Sequence, residues 1–148
     1  MTKKPIDYSK GFIYKLCCLD TSIKDIYIGS SVNFKQRKKS HKYRCNTPTD
    51  KYNNSYIYQF IRASGGFENW EMIIISYYPC SNKRELEREE RKYFDELGAT
   101  LNKNRPYITD DEKHELQLIN NKKYYHKTKI NRVNENEEEP SQNSDKKN

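Results

Sequence analysis

The stretch YIGSSVNFKQRKKSH (residues 27–41) passes from a buried strand to a basic helix within fifteen residues. Tyr27 and Ile28 lead into Gly29, Ser30 and Ser31, which read as the end of a strand. Asn33 is suited to cap a helix running from Phe34 to about Tyr43. At about 100° per residue, Phe34, Arg37, Lys38 and His41 share one helix face, and Lys35, Lys39 and Lys42 form an adjoining stripe. Docking through Phe34 would direct Arg37 and His41 toward the end of the strand and leave the lysines in solvent. Small residues at the strand end would make room for a phosphate, and the helix would supply charge.

Upstream, GFIYKLCCL (11–19) reads as a first strand and DIYIGSS (25–31) as its hairpin partner, joined by a turn-rich stretch at 20–25. An even-length connection puts Tyr14 and Tyr27 on one face, and a one-residue slip would separate them. Downstream, a polar loop (44–54) precedes SYIYQFIRAS (55–64), which has Tyr56, Ile57, Phe60 and Ile61 at helical spacing and stops at Gly65-Gly66. MIIISYY (72–78) is apolar nearly throughout, which predicts a central strand. Ser81 or Asn82 then caps a helix to Leu97, with Gly98 ending it. Its apolar stripe is Leu86, Tyr93 and Leu97, with Phe94 alongside and Glu90 in the middle. Residues 109–130 can form a charged helix, and 131–148 read as disordered. The expected organisation is a polar lead-in (1–10), one folded domain (11–107) and a charged tail (108–148).

Charge follows the same division. Residues 1–107 carry 20 Lys+Arg against 12 Asp+Glu, a net +8, whereas 108–148 carry 8 against 9. The basic excess of the folded part favours a polyanionic partner, although an AT-rich genome would also enrich a chain in Lys, Asn, Ile and Tyr. Cys17, Cys18, Cys45 and Cys80 form no C-x-x-C pair, which argues against a zinc module. No signal peptide or membrane-length apolar run is apparent, so an intracellular, soluble protein is expected, in the cytoplasm or nucleus of a host cell, with no membrane association.

Each candidate residue has a structural reading beside a chemical one. Two facing tyrosines can be simple packing. Arg37 lies beside Phe34 rather than on the lysine stripe, a position suited to clamping phosphate. His41 is either a surface histidine or its companion. Glu90 interrupts an apolar face, where a carboxylate is costly unless it pairs with Arg37 or Lys15 or holds a divalent metal. A single carboxylate suits Mg²⁺, which retains waters and shares substrate phosphate oxygens. Asn102 is either a turn residue or a hydrogen-bonding support.

Taken in order, Phe12-Ile13-Tyr14, Tyr27-Ile28-Gly29, Arg37-x-x-x-His41, Leu86-x-x-x-Glu90 and Leu101-Asn102 resemble the motifs of the GIY-YIG endonuclease family. The resemblance spans residues 11–106 and extends to small standalone members found in phages and large DNA viruses. It implies an α+β, sandwich-like fold with a small three-stranded antiparallel sheet flanked by helices, and metal-dependent hydrolysis of DNA phosphodiesters. The catalytic set it implies is Tyr14, Tyr27, Arg37, His41, Glu90 and Asn102, with Glu90 holding Mg²⁺ or Mn²⁺. A tyrosinate, its pKa lowered by Arg37, the metal and the lysines, would take a proton from water. Lys35, Lys38, Lys39 and Lys42 would face DNA. The sequence departs from the family pattern at Phe12, which replaces the motif glycine. The rival reading is an inactive nucleic-acid-binding or adaptor protein of a repair or recombination complex, with the tail docking a protein partner or a second copy.

Overall fold

The computed structural model describes residues 2–137. The chain divides after Tyr107 into two units, and the first contains the sheet. Strand β1 (Phe12–Cys18) pairs antiparallel with β2 (Ile26–Ser31) on one side and β3 (Trp70–Tyr77) on the other. The helices of this unit are α1 (Phe34–Asn46), α2 (Tyr56–Ala63) and α3 (Lys83–Leu97). The architecture is the α+β arrangement expected from the resemblance.

β1 therefore occupies the centre, and β3, expected there, is an edge strand. Its apolar run is only partly covered: Trp70 and Met72 are buried and Ile74 and Ile75 half-buried, whereas Ile73 and Tyr77 are exposed. Phe12, Tyr14 and Leu16 of β1 share one cluster with Ile57, Tyr58 and Ile61 of α2 and with Trp70 and Met72. Ile13 and Ile28 pack on the other face with Leu86, flanked by Ile75, Tyr93 and Phe94. An apolar run with partial cover on both faces thus suits an edge strand as well as a central one. A register shift between Ile13 and Tyr14 leaves Ile75 as an extra residue in β3.

Pairing within the hairpin sets Tyr14 against Gly29 and Leu16 against Tyr27, which puts Tyr14 and Tyr27 diagonally on one face. Two helices have the predicted N-caps. Asn33 accepts a hydrogen bond from the Gln36 amide at 3.0 Å, and Asn82 accepts one from the Glu85 amide at 3.0 Å. Gly98 closes α3 in the left-handed conformation (φ 61°). α1 continues past Tyr43 to Asn46, which carries Cys45 into the core one turn beyond His41.

Two expected helix faces differ in detail. In α2 the buried positions are Ile57, Tyr58 and Ile61, whereas Tyr56 is 54% exposed. In α3, Leu97 is exposed, so the inward face consists of Leu86, Glu90, Tyr93 and Phe94. Phe12, which stands where the motif glycine was expected, is buried against Phe34 with ring centroids 6.1 Å apart. That contact docks α1 on the sheet.

Residues 100–102 run beside the free edge of β2. The amides of Thr100 and Leu101 both donate to the Ile26 carbonyl, at 3.2 and 3.1 Å. Asn102 then pairs twice with Ile28, accepting from its amide at 3.0 Å and donating Nδ2 to its carbonyl at 2.7 Å. This satisfies an edge that would otherwise template further strands. Asn102→Ala is expected to lower stability by about 1–3 kcal/mol, because two part-buried backbone groups lose their partner. Urea denaturation would measure this, and an unchanged midpoint would contradict the pinning role.

In the second unit, α4 (Asp110–Glu137) is longer than the helix expected over 109–130. Its start is a reciprocal cap: the Glu112 amide donates to Thr109 Oγ1 at 3.2 Å, and Glu112 Oε2 accepts from the Thr109 amide at 2.9 Å. Neither Gly nor Pro interrupts the chain before Pro140, so helix formation continues through 131–137, where disorder was expected. The remainder of that expectation, residues 138–148, lies outside the described residues. No helix among the described residues is long and apolar enough to cross a membrane.

Candidate active site

The two tyrosines, the basic helix and the carboxylate meet at β2. Tyr14 is fully buried, and its hydroxyl accepts from Arg37 Nε at 2.8 Å. The same hydroxyl lies 2.7 Å from His41 Nε2, and His41 Nδ1 lies 2.9 Å from the Tyr58 hydroxyl. Tyr27 packs beside this chain, its ring centroid 6.3 Å from Tyr14 and 5.7 Å from His41. Arg37 and His41 follow Phe34 at helical spacing and precede Cys45, so the inward face of α1 is partly polar. Tyrosine hydroxyls across the interface supply its partners.

His41 is buried, at 2% exposure, and is not a surface residue. Burial, reinforced by the positive charges of Arg37 and Arg44, pushes its pKa down to about 3, so the imidazole is neutral. One ring nitrogen then donates and the other accepts, which suits a bridge between two hydroxyls.

The tyrosine acidities run against the sequence expectation. Burial raises Tyr14 well above the usual phenol range, with Tyr27 adding to the rise and Arg37 opposing it. Tyr27 is raised for the same primary reason. A standing tyrosinate at neutral pH is therefore not what this packing favours. The lysine stripe does not offset the burial, because Lys35, Lys38, Lys39 and Lys42 line a separate groove with Phe34, Phe67, Glu68 and Trp70. Lys42 forms an exposed ion pair there with Glu68 at 2.5 Å.

Glu90 accepts a hydrogen bond from the Ser30 hydroxyl. That hydroxyl, rather than Arg37 or Lys15, is its hydrogen-bond partner among the described residues. Burial pushes the carboxyl up to about 7, with the Ser30 bond opposing the shift. A half-buried carboxylate held by a neutral hydroxyl could hold a divalent ion. No group of three or more His, Cys, Asp or Glu side chains forms a cage among the described residues. An ion held by Glu90 alone would have to keep most of its waters.

Gly29 has a different role from the one its position suggested. A Cβ there would lie 2.5 Å from the Tyr14 hydroxyl oxygen, 2.6 Å from Tyr14 Cζ and 2.9 Å from Tyr27 Cε1. The glycine makes room for the Tyr14 phenol, not directly for phosphate. Gly29→Ala is expected to displace both rings, with a loss of stability of about 1–3 kcal/mol from overpacking. A melting temperature equal to wild type, with full activity, would contradict this.

The cleft that receives these groups has a volume of about 310 Å³. Tyr27, Arg37, His41 and Glu90 line it together with Arg44, Tyr52, Tyr56, Tyr58 and residues 102–106, among others. Asn102 contributes to the wall but acts on the β2 backbone. Arg44, Tyr52, Tyr58 and Arg105 also line the cleft and were not singled out by sequence reasoning, and Ser30, read there only as a small residue at the strand end, bonds Glu90. Only Tyr58 had a usable local signal, since it shares a helix face with Ile61 three residues on.

The three-stranded antiparallel sheet thus brings paired tyrosines, an arginine and a carboxylate together, with Tyr27, Arg37 and Glu90 lining one cleft. The family model for the GIY-YIG catalytic domain matches residues 10–105, and the chain belongs to that family. It therefore carries a nuclease domain for which DNA is the implied substrate. No curated protein and no solved structure matches the chain.

Proposed function

We propose that the protein is a divalent-metal-dependent endonuclease that hydrolyses DNA phosphodiester bonds, with residues 1–107 as the catalytic body and the segment from 108 as an appendage. The carrying observation is the continuous chain Arg37–Tyr14–His41–Tyr58 opening on the same cleft as Glu90.

In this reading Tyr14 works as a neutral phenol rather than a preformed tyrosinate. Its hydroxyl donates to His41 Nε2, and His41 Nδ1–H donates to the Tyr58 hydroxyl. As the attacking water forms its bond to phosphorus, its proton passes to the Tyr27 hydroxyl, which lines the cleft, and the Tyr27 proton passes to the buried Tyr14 oxygen beside it. The Tyr14 proton moves to His41 Nε2, the Nδ1 proton to Tyr58, and the Tyr58 proton to water in the cleft. His41 ends as the other neutral tautomer, so no imidazolium forms in a site that disfavours one. Arg37 Nε stabilises the partial negative charge that develops on the Tyr14 oxygen during the transfer, and the rest of its guanidinium meets a non-bridging phosphate oxygen. Tyr27 fixes the Tyr14 and His41 rings, and Asn102 holds β2 in place. Glu90 would hold the metal, which when bound supplies charge neutralisation at the departing 3′ oxygen. The lysines of α1 would contact duplex flanks through their separate groove, with salt-sensitive affinity.

Supercoiled plasmid provides the test. Purified protein with Mg²⁺ is expected to nick it, and chelator to stop the reaction. Glu90→Ala and Arg37→Ala are expected to bind DNA without cutting. Binding with no cleavage across several divalent metals and pH values would overturn the enzyme reading and leave a binding protein.

A further inference from the structure

The cleft lined by Arg37 and Glu90 is also lined by residues that the proposed chemistry does not use. Tyr52 and Tyr56 line it, and they are 41% and 54% exposed. Both residues are exposed, although burial would ordinarily be favourable for such a side chain. The Arg44 guanidinium carbon lies 4.3 Å from the centre of the Tyr52 ring, and Lys51 Nζ lies 4.8 Å from it. Lys103 and Arg105 contribute positive charge to the lining of the same cleft. Aromatic rings interleaved with cations are how proteins hold single-stranded nucleic acid, with bases stacking on rings and phosphates meeting the charges.

We propose that the same cleft takes an unpaired nucleotide adjoining the scissile phosphate, with Tyr52 and Tyr56 as stacking surfaces. The preferred substrate is then DNA with a single-stranded or displaced base at the cut, such as a flap or a mismatch, rather than uninterrupted duplex. A base inside a duplex offers only its edges in the grooves, whereas a ring surface needs a base face. The exposed lysines lie in a different groove, which separates the duplex-contacting charge from the stacking surface. Continuity with Arg37 and Glu90 places the stacked nucleotide next to the reacting phosphate.

This inference rests on the DNA-cleaving reading above, so its test is made on binding. The full chain carrying Glu90→Gln would be titrated, with Mg²⁺ present, against fluorescent duplex and against the same duplex bearing a single-stranded flap. Tighter binding of the flap is expected. Adding Tyr52→Ala should reduce the flap-to-duplex affinity ratio by about tenfold, whereas Tyr52→Phe should preserve it. Tyr56→Ala provides a second, independent reduction if Tyr52→Ala lowers the melting temperature. Equal affinity for the two DNAs, or an alanine loss shared equally by both, would overturn this inference, and plasmid nicking by wild type would still uphold the nuclease reading. Absence of binding to either DNA would overturn both.

Discussion

Arg37→Lys is expected to reduce plasmid nicking by at least about a hundredfold while changing DNA affinity little. Arg37 Nε donates to the Tyr14 hydroxyl at 2.8 Å, so one side of the guanidinium is already committed within the protein. The remainder of its planar fork is what the proposed reaction turns toward phosphate. Lysine keeps the charge but is a point donor and cannot hold a buried phenol and a substrate oxygen in one plane. The Tyr14 phenol, already raised by burial, would also lose the arginine that opposes that rise. Affinity should persist because exposed lysines provide most of the counterion release. Single-turnover cleavage and anisotropy on the same preparation separate the two effects. Near-wild-type cleavage by the lysine variant would remove Arg37 from the chemistry.

Glu90→Gln is expected to act in opposite directions on activity and stability. The folded carboxyl titrates at about 7 against an ordinary value of 4.5, chiefly because of burial. Between those values the folded protein keeps a proton that the unfolded chain releases. Stability of the metal-free protein should therefore fall as pH rises through that window, by up to about 3 kcal/mol, and level off above it. Glutamine accepts the same hydrogen bond from Ser30 without carrying charge, so the variant should lack this slope and melt higher than wild type at about pH 8. Mg²⁺ should raise the melting temperature of wild type there and leave the variant unaffected. Cleavage, which requires the ionised carboxylate, should increase with pH through about 7 in wild type and be lost in the variant. Parallel pH slopes for the two proteins would mean that Glu90 does not carry the buried titration.

The sequence by itself determined the local elements and the unusual residues. Asn33, Asn82 and Gly98 mark helix ends through bonds and backbone angles that involve only near neighbours. Alternation along β1 and β2 puts Tyr14 and Tyr27 on one face whichever of the even registers is taken. Arg37 was legible as the arginine off the lysine stripe, and Glu90 as a carboxylate on an apolar face. Charge counting could not separate the lysine groove from the catalytic cleft, because periodicity on α1 does not say what each face meets.

Only the tertiary structure decided which groups became partners. His41 bridges Tyr14 and Tyr58, which come from β1 and α2, and Ser30 meets Glu90 across sixty residues of sequence. Strand order was likewise outside local reach, since an apolar run with only partial cover on each face suits an edge strand as well as a central one. The acidities changed for the same reason: desolvation depends on everything packed around a group, and it made His41 neutral and Tyr14 a poor acid. Gly29 combines both levels. Its place in the motif was visible in the sequence, but the Tyr14 phenol that fills the space beside it appears only when the two strands pair.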